Sequence, residues 1–295
     1  MIGVLNLDKP AGWTSHDVVA RVRRLAGERR VGHAGTLDPM ATGVLVVCLG
    51  AATRLVEYLA DLDKDYRAVI RFGVDTDTWD AEGEMVFSAD AGHLTLAAIE
   101  PALAAFRGVI EQVPPMYSAL KRNGQPLYRL ARQGVTIERE ARTITISRLT
   151  VAAWQPPDLA VELTCSKGTY VRAIAHDLGV ALGVGAHLAA LSRTRIGTFT
   201  LDAALPAQVL VAGDGDALLA AVQPPAAVVG HLPGATIGEE AAALLRQGRP
   251  VTLPEAPAGD WLAALDGRGE LVAVLAPGEE AGVWRPHKVM PPTDR

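Results

Sequence analysis

Between Gly32 and Gly43 the chain reads GHAGTLDPMATG, which sets a histidine, an aspartate and three glycines in one segment just ahead of an apolar run. A carboxylate placed there has two main uses. Asp38 can act as a nucleophile or base, or it can cap a turn by accepting hydrogen bonds from Met40 or Ala41. Pro39 lacks an N–H and keeps the preceding residue extended, so in either use Asp38 stands on a stiff loop. The glycines let the backbone turn tightly and approach a ligand. Phosphate cradling is a weaker third use, because the P-loop spacing and its lysine are missing. Asp80 or Asp177 could join Asp38 as an acid and base pair at an anomeric carbon, the arrangement of a glycoside hydrolase or N-glycosidase.

The elements that must position these residues follow from periodicity and punctuation. Gly3 to Leu7 reads as a strand, and the turn Lys9 to Gly12 leads to a helix capped at Thr14 or Ser15, with Asp17 at capping-box distance. Val31 to Gly43 reads as a Gly-rich loop, Gly43 to Leu49 as a strand buried on both faces, and Thr53 to Ala60 as helical. Tyr66, Ala68, Ile70 and Phe72 alternate with Arg67, Val69 and Arg71, which predicts a half-buried strand with Tyr66 inward. Thr95 to Phe106 reads as a helix, Thr143 to Val151 and Leu159 to Cys165 as strands, and Thr169 to Leu182 as a helix ended by Gly183. Strand pairs without helix spacers predict an α+β fold, a mixed and mainly antiparallel sheet with flanking helices, rather than a parallel doubly wound one. Near Gln223 to Pro225 the composition changes, and the remaining 70 residues, with many glycines and prolines around runs such as Leu271 to Leu275, predict a small β-rich domain. The expected division is 1–225 and 226–295.

With 295 residues and 49% hydrophobic composition, the chain can bury a large core without staples. Its two cysteines, Cys48 and Cys165, lie far apart in apolar settings and predict buried, reduced thiols rather than a disulfide or metal site. Met1 to Ser15 lacks the basic start and apolar run of a signal peptide, and no apolar stretch nears the roughly 18 residues of a membrane span, so a cytoplasmic protein is expected. A net charge of −5 argues against a general nucleic-acid coat protein. Any RNA site must be a local patch. The strongest candidate is Arg107 to Arg148, with eight Lys and Arg against three Glu, and Arg21 to Arg30 is a second. A solvated surface is the competing reading of both, and a non-enzymatic RNA-binding or folding protein is the competing function.

The segments DKPAGWTS (Asp8 to Ser15), GHAGTLDPMATGVL (Gly32 to Leu45), KDYRAVIRFG (Lys64 to Gly73), DTDTWDAEG (Asp75 to Gly83), MYSALK (Met116 to Lys121) and GTYVRAIAHDLG (Gly168 to Gly179) recur here in one order and spacing. Together they resemble the bacterial TruB family of tRNA pseudouridine-55 synthases over nearly the whole of the first domain. The tail resembles, more loosely, that family's PUA-type domain. The resemblance implies a cofactor-free and metal-free isomerase that breaks the uridine N1 to sugar bond, turns the base and rejoins it through C5. It implies a T-arm tRNA substrate, no obligatory protein partner, and action as a monomer. Asp38 falls on the family's catalytic Asp, whether as nucleophile at the anomeric carbon or base at the neighbouring carbon. Arg172 falls on the Arg that pairs with that Asp, and Tyr66 on the active-site Tyr. Tyr170 and Leu191 fall on residues lining the uracil pocket, Asp80 and Lys121 on polar residues of the cleft, and His33 on the residue that fills the gap left by the flipped nucleotide. The basic region falls on a thumb-like insertion that closes over the RNA. Two positions depart from the usual pattern: Ala34, where many relatives have Thr, and Trp79, which is larger than usual.

Overall fold

In the computed structural model, which describes residues 1–122, 124–257 and 259–292, the apolar opening forms strand β1 (Gly3–Lys9). Helix α1 (Ser15–Ala26) starts at a complete capping box, in which the Asp17 N–H donates to Thr14 Oγ1 and the Thr14 N–H donates to Asp17 Oδ2. It stops at Gly27, whose left-handed φ of 60° suits a residue without a side chain. The segment read as a loop from Val31 begins instead as a short strand, β2 (Val31–His33), because its backbone groups pair antiparallel with the end of β3 (Thr42–Leu49). β3 is buried throughout from Gly43, as its unbroken apolar run predicts, and pairs antiparallel with β1 on its other side. The predicted helix at 53–60 resolves into a 3-10 segment, Gly50–Leu55, running into α2 (Val56–Ala60).

Next come β4 (Lys64–Phe72), a hairpin of β5 (Val74–Thr76) and β6 (Met85–Ser88), α3 (Leu96–Ala104) capped by Thr95, and β7 (Gly108–Gln112). The basic region contributes a short hairpin, β8 (Lys121–Arg122) with β9 (Gln125–Pro126), and α4 (Leu127–Ala131). β10 (Arg142–Gln155), β11 (Asp158–Cys165), α5 (Val171–Ala181) and β12 (Ala186–Ile196) follow. Their sheet runs β12-β4-β11-β10-β7, with antiparallel pairing from β4 to β7. The alternation in β4 holds: Ala68, Ile70 and Phe72 are buried, while Arg67 and Arg71 reach Glu162 and Asp158 on β11. Tyr66, nearer the strand's start, is half-buried.

After β13 (Phe199–Thr200), helices α6 (Ala207–Ala212) and α7 (Gly215–Ala220) send Leu210 and Leu218 into a core with Val18, Val22, Leu45 and Val47. The β-rich tail holds β14 (Gly234–Thr236), α8 (Glu239–Arg246), β15 (Val251–Thr252), β16 (Leu262–Leu265), β17 (Leu271–Pro277) and β18 (Val283–Val289). The strands form one sheet ordered β14-β16-β17-β18-β15, with β14 parallel to β16 and the other pairs antiparallel. The fold is thus α+β and mainly antiparallel, as expected. Two compact units arise, one from Met1–Pro39, Gly43–Leu62 and Ile196–Arg295, the other from Met40–Thr42 and Asp63–Arg195. No described helix is long and apolar enough to cross a membrane.

Candidate active site

The loop carrying Asp38 is pinned on both sides of that residue. On one side the Leu37 N–H donates to Ser15 Oγ at 2.9 Å, and Ser15 Oγ donates back to the Leu37 carbonyl at 3.1 Å. On the other, the Pro39 carbonyl accepts from the Gly12 N–H at 2.9 Å and from Lys9 Nζ at 3.1 Å. Lys9 has no exposed surface, and its ammonium also donates to the carbonyls of Pro10 and Trp13. A buried ammonium is tolerated when its donors meet acceptors, so Lys9 serves as a three-way tie between the β1–α1 turn and the Asp38 loop. Asp38 between these ties is half-buried. Where the loop rejoins β3, Asp8 Oδ1 accepts from the Gly43 N–H at 3.1 Å, and burial pushes the Asp8 carboxyl above its ordinary value despite that bond. His33 sits on β2 opposite Val47, with its ring edge-on to His16 at 5.7 Å.

The other unit gathers Asp80, Tyr170 and Arg172. Arg172, in the first turn of α5 and 4% exposed, donates from Nη1 to the Thr78 carbonyl at 3.1 Å and from Nη2 to the Tyr117 carbonyl at 2.8 Å. Its Nη1 lies 3.4 Å from Asp80 Oδ2, and Asp80 is equally buried. Asp80 Oδ1 accepts from Thr78 Oγ1 at 2.6 Å and from the Glu82 N–H at 3.1 Å, so the oxygen not facing Arg172 is doubly engaged and the acid's direction is set. A buried charge pair survives only with such additional bonds. Tyr170, the residue before α5, is locked by Gln112 at the end of β7: its N–H donates to Gln112 Oε1 at 2.8 Å, and its carbonyl accepts from Gln112 Nε2 at 3.1 Å.

Tyr66 on β4 stands opposite Leu163 of β11, and the buried Leu191 lies on β12, the other neighbour of β4. Lys121 pairs through its backbone with Pro126, and its side chain lies outside what is described. Among the candidate residues, therefore, the structure joins Asp80 to Arg172 directly and sets Tyr170 at the start of the same helix. His33 and Asp38 belong to the other unit.

Sequence reasoning passed over Lys9, Gln112, Thr78 and Tyr117 as site-building groups. Lys9, Thr78 and Tyr117 lie inside segments that carried the resemblance, DKPAGWTS, DTDTWDAEG and MYSALK, and that was their available signal. Gln112 had none, since its use depends on a partner 58 residues away. Burial pushes the Cys48 thiol up to about 12 and the Cys165 thiol up to about 11, so both behave as the inert core thiols expected. Among the described residues, no three His, Cys, Asp or Glu side chains cluster as metal ligands would.

Comparison with known proteins adds to this geometry. Residues 23–171 match the family model of the TruB family pseudouridylate synthase N-terminal domain, and residues 172–228 match that of the tRNA pseudouridylate synthase B C-terminal domain. The chain is 54% identical over 249 residues to tRNA pseudouridine synthase B of Symbiobacterium thermophilum, covering 83% of this chain and 82% of the relative. It is 46% identical over 276 residues to the protein of that name from Pseudomonas aeruginosa, covering 92% and 90%. Among solved structures it is similar to a chain from an H/ACA RNP bound to a substrate RNA containing 2'-deoxyuridine, with a TM-score of 0.74 and 28% identity over 99% of this chain and 86% of that one. With matched family models spanning most of its length and close relatives matched nearly end to end, the chain belongs to the TruB family of pseudouridylate synthases.

Proposed function

We propose that this TruB-family tRNA pseudouridine synthase isomerises the uridine at position 55, in the T-arm loop, with Asp38 as its catalytic carboxylate. The observation that carries the assignment to Asp38 is the double pinning of its loop by Ser15 and Lys9, which holds one half-buried carboxylate rigidly. The reaction balances without a co-reactant: the bond from N1 to the sugar breaks, a bond from C5 to the same carbon forms, and the proton lost from C5 is matched by one gained at N1. Asp38 attacks the anomeric carbon or removes a proton from its neighbour, and both routes need it ionised. Arg172 supports that state as the opposite charge, with its guanidinium oriented by Asp80, Thr78 and Tyr117. The Tyr66 phenol assists removal of the C5 proton, Tyr170 and Leu191 line the base pocket, Lys121 contributes to the cleft, and His33 fills the vacated stack. The enzyme works as a cytoplasmic monomer on tRNA alone, and residues 226–295 act as a PUA-like RNA-binding module.

The test is to incubate the protein with unmodified tRNA and map pseudouridine by carbodiimide and reverse transcription. One stop at position 55 is expected. An abasic site with free uracil would instead establish an N-glycosidase, and modification at another position would remove the T-arm assignment.

A further inference from the structure

Among the described residues, Trp79 is the non-glycine residue with a left-handed backbone, at a φ of 63°, a region bulky side chains avoid. Something must hold it there. Its indole lies nearly flat on the His176 imidazole, with centroids 4.3 Å apart and planes 12° apart. His176 Nδ1 is in turn 3.0 Å from Asp75 Oδ2. On α5, His176 follows Arg172 by four positions, so both side chains leave the helix on one face. That face grips a single short loop. Arg172 holds the Thr78 carbonyl and the Asp80 carboxylate, which flank Trp79, while His176 holds Trp79 itself and Asp75. The Trp79 backbone is further tied by its N–H to the Thr76 carbonyl at 3.1 Å and by its carbonyl to the Leu188 N–H at 3.0 Å. Neither ring is core packing, since Trp79 and His176 are both only half-buried.

We propose that Trp79 and His176 are positioning residues for Arg172. Their stack keeps the 75–80 loop in register with α5, so that the Thr78 carbonyl and Asp80 hold the guanidinium where the isomerisation uses it. The proposal rests on the uridine isomerase reading above. Without the stack, the Trp79 ring keeps only the Arg139 guanidinium, 5.9 Å from its centroid on the insertion, and the acceptors on either side of the left-handed turn shift together.

The experiment compares Trp79→Gly, which removes the ring and suits the backbone, with Trp79→Phe and His176→Gln, each alone and in an Asp80→Asn background. Two readouts are taken on variants whose thermal unfolding remains cooperative: the single-turnover rate on tRNA at saturating protein, and hydrogen exchange of the Arg172 guanidinium N–H groups by NMR. Trp79→Gly is expected to slow the chemical step about tenfold with tRNA affinity within about twofold, since small misplacement of an active-site group costs rate rather than binding. His176→Gln should follow it in direction, and Trp79→Phe should restore most of the rate. In the Asp80→Asn background the further loss should fall below about twofold, because both changes act through one guanidinium. Arg172 N–H exchange should quicken in Trp79→Gly and His176→Gln. Losses that multiply independently of Asp80, or unchanged Arg172 exchange in both ring variants, would overturn the proposal. If the wild-type protein leaves tRNA uridines untouched, the functional reading fails, and the exchange measurement still decides the positioning role.

Discussion

Lys9, a fully buried ammonium, ties down the loop that carries Asp38. Asp38→Asn keeps the shape of the side chain and removes its charge, so turnover should fall by roughly 10²–10⁴-fold while tRNA affinity stays within a few-fold. Single-turnover kinetics with filter binding measure both, and a rate above a tenth of wild type would exclude Asp38. Lys9→Met removes the ammonium and leaves the carbonyls of Pro10 and Trp13 short of a donor, while that of Pro39 keeps the Gly12 N–H. Each buried acceptor so orphaned costs about 1–3 kcal/mol, which urea unfolding will register. Turnover should drop as well, because Pro39 is the residue beside Asp38. A stable variant at full rate would mean that Ser15 and the Gly12 N–H hold the loop without Lys9. Arg172→Lys keeps the charge and loses the planar fork that serves Thr78, Tyr117 and Asp80 together, so it should be strongly impaired in rate.

Helix α5 carries Arg172 and His176, and its sequence carries a built-in cost. Asp177, on that helix, has its carboxyl raised above the ordinary value by burial, with His176 opposing weakly. The folded value therefore lies above the unfolded one near about 3.9, and the native state holds this proton more tightly. Stability from this group is full below about pH 4 and is lost as pH rises through the folded value, because ionising a desolvated carboxylate disfavours the native state. Asp177→Asn should raise the thermal midpoint at pH 7 by roughly 1–2 °C. The gain should shrink as pH is lowered toward 4. Calorimetry at both pH values checks it, and a gain that grows on acidification contradicts the burial argument.

At the scale of the whole chain, the basic insertion and the tail matter most. The net charge of −5 leaves RNA binding to local cations, and in the insertion Arg132 lies over the Tyr128 ring at 5.6 Å. Replacing Arg129 and Arg132 by Gln should flatten the slope of log affinity against log salt by roughly 0.7–0.9 for each phosphate that is no longer neutralised, with the saturated chemical step little changed. An unchanged slope would identify the insertion as solvated surface and direct the search to Arg21–Arg30. There the structure already commits Arg21 to the carbonyls of Leu210 and Val211, and Arg23 to that of Arg29. The tail does not stand apart in its own unit. Val228, Ala263, Leu271, Val274 and Met290 share a core with Val4, Val46, Leu55 and Tyr58, and Lys288 bonds Glu57 at 2.9 Å. A chain ending at 225 should therefore lose cooperative unfolding or aggregate, as circular dichroism on the truncated protein would show.

What the sequence determined by itself was local. Alternation in β4, the unbroken apolar run of β3, the Thr14 capping box and the stop after α5 were legible because each depends on residues within one or two turns or pleats. The identities of Asp38, Arg172 and Tyr66 as site candidates came from segments whose order resembled a family, and their environments were not in the pattern. Only the tertiary structure decided that Lys9 is buried among carbonyls, that Gln112 locks Tyr170, and that Trp79 adopts a left-handed turn beneath His176. It also decided that β2 forms from an expected loop and that the tail shares its core with the first 62 residues. The physical reason is the same in each case. Hydrogen-bond partners, strand edges and desolvation are supplied largely by other turns, strands and helices, and periodicity within a segment carries no information about what the fold will bring against it.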